Sequence, residues 1–467
     1  MKSRFLIIIL TFLAGGVLIN TSAQTLKSSY FLEGATYRHQ LNPAFMGDRN
    51  YISFPALGNI NVGTTSTMGL TDFIYKLNDP TSKYDLTTFM NSSVDRNLFL
   101  GKLKTNNQIN TDLGLTILST GFYAFGGFNT FEINLKSNTS LNLPYELFNF
   151  MKTGMDQDIY HINNFAANSN NYVELALGHA HKVNDRLTVG AKLKFLAGIA
   201  NVDAKIDSMD IALTGDKWRI MANGTLNTAV GGGYYKTKTS NPGEINGFDV
   251  EKDGGAGGYG AGIDLGATYK LMDNLILSAS ALDLGFITWN NNQKGATHNK
   301  ESFTFEGFNN IAVDPEEGDP NDVDTQFDNI KDDLKAMTKF YDEGKVSRTT
   351  MLATTINLGA EYKLPFYDKL SVGLLSTTRV NKPYTWTQAM LAANICPLRW
   401  LGASVNYSYS TFGSNLGWML NFHPKGLTFF VGSDRMITKV TPQYVPMGNA
   451  NANLCFGFNI TFGHHRD

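Results

Sequence analysis

The sequence predicts an all-β chain whose strands cross a membrane as a closed antiparallel barrel, and three observations carry that expectation. In the stretch Leu454–Phe462 one parity holds Leu454, Phe456, Phe458, Ile460 and Phe462, and the other holds Cys455, Gly457, Asn459 and Thr461. A period of two is that of a strand, and a tilted strand needs roughly 9–11 residues to cross the hydrocarbon. The same alternation returns in five hairpins along the chain. Beyond the N-terminus, no uninterrupted apolar run reaches the length of about 18 residues that a membrane helix requires, so helical spans are excluded.

The N-terminus sets the compartment. Lys2 and Arg4 precede an apolar run from Phe5 to Ile19, and Thr21-Ser22-Ala23 stand before Gln24. This is the pattern of a secretory signal over residues 1–23; an anchor helix would need roughly 20 apolar residues. Charged residues make up only 17% of the chain, while Gly (45), Phe (31) and Tyr (20) are prominent. Such a mixture suits alternating strands joined by polar loops better than a helical enzyme. The net charge of −2 offers no footprint for nucleic acid. Cys396 and Cys455 stand far apart and read as isolated side chains, since a disulfide framework uses more cysteines.

The elements follow in order. Residues 24–50, containing Arg38-His39-Gln40-Leu41-Asn42-Pro43-Ala44-Phe45, show neither alternation nor a helical period. They read either as a surface arm or as a stretch folded inside a barrel. Tyr51–Met68 begins the barrel, with its first strand interrupted by Pro55. Thr71–Thr111 reads as a long loop in which Leu86–Leu103 is compatible with a helix. Strands follow through Leu113, Leu115 and Ile117 and through Phe131, Ile133 and Leu135, and Asn138–Asn171 reads as a polar excursion.

The hairpins then begin. Val173, Leu175 and Leu177 turn at Val183–Arg186 into Leu187, Val189, Ala191, Leu193 and Phe195. Ile263, Leu265, Ala267 and Tyr269 turn at Met272–Asn274 into Leu275, Leu277 and Ala279. Ile356, Leu358, Ala360 and Tyr362 turn near Tyr367–Lys369 into Leu370, Val372 and Leu374. Two further pairs flank Pro397 and Pro424. Short turns on one side and long connections on the other are the asymmetry of outer-membrane barrels. The opposite parity carries Glu174, Lys192, Lys194, Asp264, Lys270, Asn357, Glu361 and Lys363, which lipid would reject and a wet or plugged lumen would accept.

One stretch departs from this balance. Asp314–Glu343 holds eleven acidic residues against three lysines, with Phe327, Ile330, Leu334, Met337 and Phe340 at helical spacing. It reads as an external acidic loop carrying a short amphipathic helix. Clustered carboxylates suit Ca²⁺, but the glycine and ligand spacing of an EF-hand are missing. A solvated charge run is the simpler reading.

The remaining motifs carry little chemistry. Gly255-Ala256-Gly257-Gly258-Tyr259-Gly260 matches G-x-G-x-x-G, but that motif needs a strand before it and a helix after it, and here a strand follows; it reads as a flexible loop tip. His179 and His181 share one strand face and would need a third ligand to hold a metal; a membrane-surface pair is the simpler reading. His464 and His465 end the chain. No G-x-S-x-G or H-E-x-x-H occurs, so neither an enzyme nor a cofactor or metal is expected.

The signal, the early Asn42-Pro43-Ala44 before an interrupted first strand, and hairpins of the form Gly-x-x-x-Lys-(turn)-Leu-x-x-Gly resemble the long-chain fatty-acid transporter (FadL-like) superfamily and related secretion-associated barrels of Gram-negative bacteria. More closely, Asn171–Gly198, with Leu187-Thr188-Val189-Gly190-Ala191-Lys192-Leu193-Lys194, resembles an uncharacterised domain-of-unknown-function family in that group. The resemblance implies 14 strands in the bacterial outer membrane and an N-terminal plug that includes Asn42, Pro43 and Ala44. It also implies passive uptake or binding of a hydrophobic small molecule, or a non-transporting scaffold whose external loops bind a secretion-associated partner. For the first function, Lys192, Lys194, Lys270 and Lys363 are candidate partners of a carboxylate head; pairing with Glu174, Asp264 and Glu361 is the competing role. A soluble β-sandwich is the alternative fold.

Overall fold

A computed structural model describes residues 26–47, 49–76, 86–154, 159–214, 217–252, 254–298, 312–313, 338–436 and 450–463. The signal segment, His464 and His465 lie outside them.

The strands close into an antiparallel barrel of fourteen positions. β1 comes in two collinear pieces, Asn50–Ser53 and Asn59–Ser66, split by an outward bulge at Phe54–Gly58. Then follow β2 (Asn106–Ala124), β3 (Gly127–Pro144), β4 (Ile159–Lys182) and β5 (Leu187–Thr214). The sixth position is shared by Lys217–Val230 and, below it, β6 (Gly258–Met272), both pairing with β5 and β7 (Leu275–Thr297). The eighth is shared by Phe340–Met351 and β8 (Thr354–Lys363), both paired to β7. β9 (Leu370–Val380), β10 (Trp386–Leu398), β11 (Leu401–Ser410), β12 (Gly413–Phe422), β13 (Thr428–Ser433) and β14 (Ala452–Phe462) complete the circle. β14 pairs with both pieces of β1, and with that the last edge is satisfied, as hydrocarbon requires.

The faces are inverted relative to a soluble protein. Leu193, Leu358, Leu374, Leu391, Val405 and Leu454 are exposed, whereas Asn357, Thr377, Ser404, Asn406, Asn421 and Asn459 on the opposite parity are buried. Apolar rows therefore face outward around a polar lumen, and the chain is a transmembrane β-barrel.

All five predicted hairpins pair antiparallel. Their turns, together with that at Phe125-Gly126, lie at one end of the barrel, beside the start of β1 and the end of β14. At the other end the connections are longer on the whole, but three are short: 215–216 between β5 and Lys217–Val230, 381–385 between β9 and β10, and Thr411-Phe412 between β11 and β12.

Two stretches expected as loops are strand in part. β2 already begins at Asn106, and Asn138–Asn171 contains the end of β3, a helix α2 (Tyr145–Thr153) and half of β4. The reason is environmental: β4 and β5 run for 24 and 28 residues, far beyond the roughly 9–11 that span lipid. In water both strand faces tolerate polar groups, so the ladder continues after the alternation has stopped. Leu86–Leu103 yields only a short strand (Leu86–Thr88) and α1 (Arg96–Leu100), whose N-cap Asp95 accepts from the Leu98 N–H at 2.7 Å. These pieces and α2 build a conventional core at the loop end, centred on Phe99, Phe148, Phe150, Ile162 and Ile211.

Residues 314–337 of the acidic stretch lie outside the described residues. Phe340, expected to end its helix, instead opens the strand Phe340–Met351 and pairs with Thr297, because the rising end of β7 offers it an unsatisfied edge. The glycine run is not a loose tip. A Cβ on Gly231 would fall 1.7 Å from the Gly255 oxygen: here the chain crosses itself in passing from Val230 to Gly258.

A candidate lumenal site

Residues Leu26–Gly47 fill the lumen with two short 3-10 turns, Lys27–Ser29 and Arg38–Gln40. Their contacts run around the wall. Asp434 accepts from the backbone N–H groups of Lys27 and Ser28 at 2.7 and 2.8 Å. Tyr37 donates to Asn459 at 2.7 Å, and the Leu41 carbonyl accepts from Ser280 and Asn357 at 2.7 and 3.0 Å.

Asn42, Pro43 and Ala44 lie flat on a paired glycine window. Gly190 of β5 and Gly266 of β6 are register partners. A Cβ at Gly190 would stand 2.3 Å from the Pro43 carbonyl, and one at Gly266 would stand 2.0 Å from Asn42 Oδ1. Only glycine admits backbone this close. Asn42 is fully buried and donates to the wall carbonyls of Ala267 and Ala279 at 3.3 and 3.2 Å.

The lumenal charges are mutually paired. Lys194 sits 2.8 Å from Asp264, 2.5 Å from Asp283 and 3.3 Å from Glu174, and Lys136 adds contacts of 3.2 Å to Glu174 and 3.6 Å to Asp283. Lys192 is bound to Glu132, which also accepts from Gln40 of the plug at 2.7 Å. His39 joins this group, 3.3 Å from Lys192 Nζ and 2.8 Å from the Tyr51 hydroxyl.

The structure brings Lys194, Glu174 and Asp264 together, with Lys192 in the neighbouring group. It does not bring the others there. Lys270 pairs with Asp273 in the turn at 3.0 Å, Lys363 with Glu33 of the plug at 2.6 Å, and Glu361 accepts from Ser371 at 2.7 Å. Every lysine singled out as a partner for a ligand head thus already holds a carboxylate.

Beside the plug, between Leu41 and the wall, a cavity of about 140 Å³ remains. One side carries the Lys194 cluster. Another carries Leu282, Leu352 and Tyr172, the last two being part of an apolar group with Trp289, Ile287 and Leu196. A third side carries Lys27, Arg379 and Trp386. The Lys27 ammonium donates to Gln388 at 2.6 Å and lies 4.5 Å above the Trp386 ring; no carboxylate among the described residues pairs with it. Trp386 is 3% exposed, and neither its Nε1–H nor the Arg379 Nε–H finds an acceptor among the described residues.

Sequence reasoning missed Glu132, Lys136, Asp283, Lys27, Arg379 and Trp386. Glu132 and Lys136 were accessible to it, because they occupy the parity opposite Phe131, Ile133 and Leu135. Asp283 was not: it sits at a bulge with φ +57°, where the alternation itself shifts by one.

Outside the lumen, His179 and His181 stack at 6.0 Å between ring centroids, and Asn129 holds His179 at 2.9 Å. Among the described residues no three metal-ligating side chains converge. Cys396 and Cys455 are free.

Residues 43–434 match a family model described as a family of unknown function, DUF5723. The chain belongs to that family. Among solved structures this DUF5723 member is similar to the toluene transporter TbuX of Ralstonia pickettii (10% identity, 92% and 95% of the two chains covered, TM-score 0.42). It is similar as well to the toluene transporter TodX of P. putida (11%, 95% and 97%, TM-score 0.40) and to a FadL homologue of Pseudomonas aeruginosa (11%, 95% and 99%, TM-score 0.43). No curated protein matches the sequence.

Proposed function

We propose that this DUF5723 member is a non-enzymatic outer-membrane barrel that binds a hydrophobic small molecule with an acceptor head beside its plug and releases it passively as the plug shifts. The observation that carries this reading is the Lys27 ammonium, which stands at the cavity beside Trp386 and Arg379 with no carboxylate partner among the described residues. Buried charges are ordinarily paired, and a ligand acceptor such as a carboxylate supplies what the wall does not. The apolar side at Leu282, Leu352 and Tyr172 suits the rest of such a molecule. The size agrees, since a cavity on the order of 150 Å³ admits a benzene ring.

Isothermal titration of the purified full chain with octanoate, octanol and toluene tests the proposal. Octanoate binds, and Lys27→Met weakens it by roughly tenfold, the scale of one hydrogen bond to a charged group, without altering toluene. Absence of binding by all three probes, or an unchanged octanoate affinity in the variant, overturns the reading.

A second reading, docking of a secretion-associated protein partner, is favoured by the loop-end core of α1, α2 and β4, a folded platform that passage through the lumen does not need. Deleting 314–337 from the full chain and mapping cross-links on intact cells tests it. Loss of a stoichiometric partner with octanoate binding retained supports docking, and an unchanged cross-link pattern ends it.

A further inference from the structure

We infer that the short connection 381–385 between β9 and β10 is an outer gate, a strap tied across the lumen above the cavity. β9 and β10 occupy positions nine and ten of the fourteen-position circle, and β2 and β3 occupy two and three, so the two pairs face each other across a full diameter. A five-residue connection in a hairpin ordinarily stays with its own strands. This one instead bonds to the far wall. Asn381 Nδ2 donates to Asn138 Oδ1 at 2.9 Å and to Ser140 Oγ at 3.0 Å, and the Tyr384 hydroxyl donates to the Ile109 carbonyl at 2.8 Å. Just below, Arg379 Nη1 reaches Asp112 at 3.1 Å.

The strap is braced from the side. Phe412, in the two-residue turn between β11 and β12, is 1% exposed and meets the rings of Tyr384 and Trp386 edge-on, each at 6.1 Å. Asn451 holds the Phe412 carbonyl at 2.7 Å. Asn138 and Asp112 line the cavity, whereas Ser140 and Ile109 lie further toward the loop end on the same strands. The strap therefore closes the cavity outward, and the plug closes it toward the turn end.

The ties at Asn381 and Tyr384 are hydrogen bonds between neutral groups. Each contributes little net, because water replaces it when it breaks, and no β-ladder opens with it. The strap can release while the barrel wall stays intact. This inference does not depend on the ligand proposed above, since it concerns access to the cavity for any solute.

The test uses the full chain with Cys396→Ala and Cys455→Ala, and Asn61→Cys as a reporter inside the cavity, reconstituted in liposomes. A membrane-impermeant methanethiosulfonate reagent is added on the loop side. Asn381→Ala/Tyr384→Phe raises the labelling rate at Cys-substituted position 61 by roughly tenfold or more, the scale of two lost neutral hydrogen bonds, and Tyr384→Phe alone gives a smaller rise. Heat-modifiable gel mobility confirms that each variant is folded, and labelling from the turn side stays unchanged. Equal loop-side rates in folded parent and variants overturn the gate, whatever the titration with octanoate has shown.

Discussion

At the scale of single residues, the lumen is governed by the cost of burying charge. Lys192 and Glu132 are 3% and 0% exposed and bound to each other. Lys192→Met leaves Glu132 charged, buried and short of its counter-ion, and destabilises the barrel by about 3–5 kcal/mol. The double variant Lys192→Met/Glu132→Gln recovers most of the loss, since Gln keeps an acceptor for Gln40. Urea unfolding in detergent measures both; equal losses in the single and double variants would contradict the pairing. On the outer face the rule is reversed. Leu358 is 57% exposed on its strand, and Leu358→Arg costs roughly 2–4 kcal/mol if it meets the bilayer midplane. A negligible cost in lipid would mean that this row does not face hydrocarbon.

At the scale of elements, the plug and the wall are fitted to one another by absence of side chains. The Gly190 and Gly266 window receives Asn42-Pro43-Ala44, and Gly373 receives the Phe31 ring, which a Cβ there would approach to 2.2 Å. Gly266→Val displaces Asn42 and Pro43 while the β5–β6 ladder, built from backbone, persists. Trypsin then cleaves after Arg38 in the folded variant but spares the parent, with heat-modifiable mobility retained in both. Resistance of the variant would show that the plug does not need the window.

How far each element was legible in the sequence follows from the same physics. The five hairpins declare themselves because lipid on one side and polar lumen on the other force a strict period of two. β3 was legible on its apolar parity, and its polar parity (Glu132, Asn134, Lys136) was there to be read. The upper halves of β3, β4 and β5 were not legible, since Asn168, Asn170 and Asn201 satisfy a ladder in water without any alternation. The break at Phe54–Gly58 was legible in Pro55, whereas the bulge at Asp283 was hidden for a related reason: Asp283 adopts φ of +57°, a choice made by neighbouring strands and not by residue type.

At the scale of the whole molecule, closure decides stability. Fourteen positions pair in a closed ring, so unfolding must break the barrel as a unit. Unheated samples should therefore migrate differently from boiled ones on a denaturing gel; identical mobility, together with solubility without detergent, would remove the membrane barrel and every proposal built on its lumen.

The sequence by itself determined which face of each membrane strand meets lipid, because alternation is local and is imposed by the solvent on either side. It also placed charges of both signs on the inward parity. Only the tertiary structure decided which charges meet. Lys27 and Trp386 are separated by most of the chain, yet one stands over the other beside the cavity, and Asn381 finds its partners on the opposite wall. Such encounters depend on ring closure and register, which no local pattern encodes.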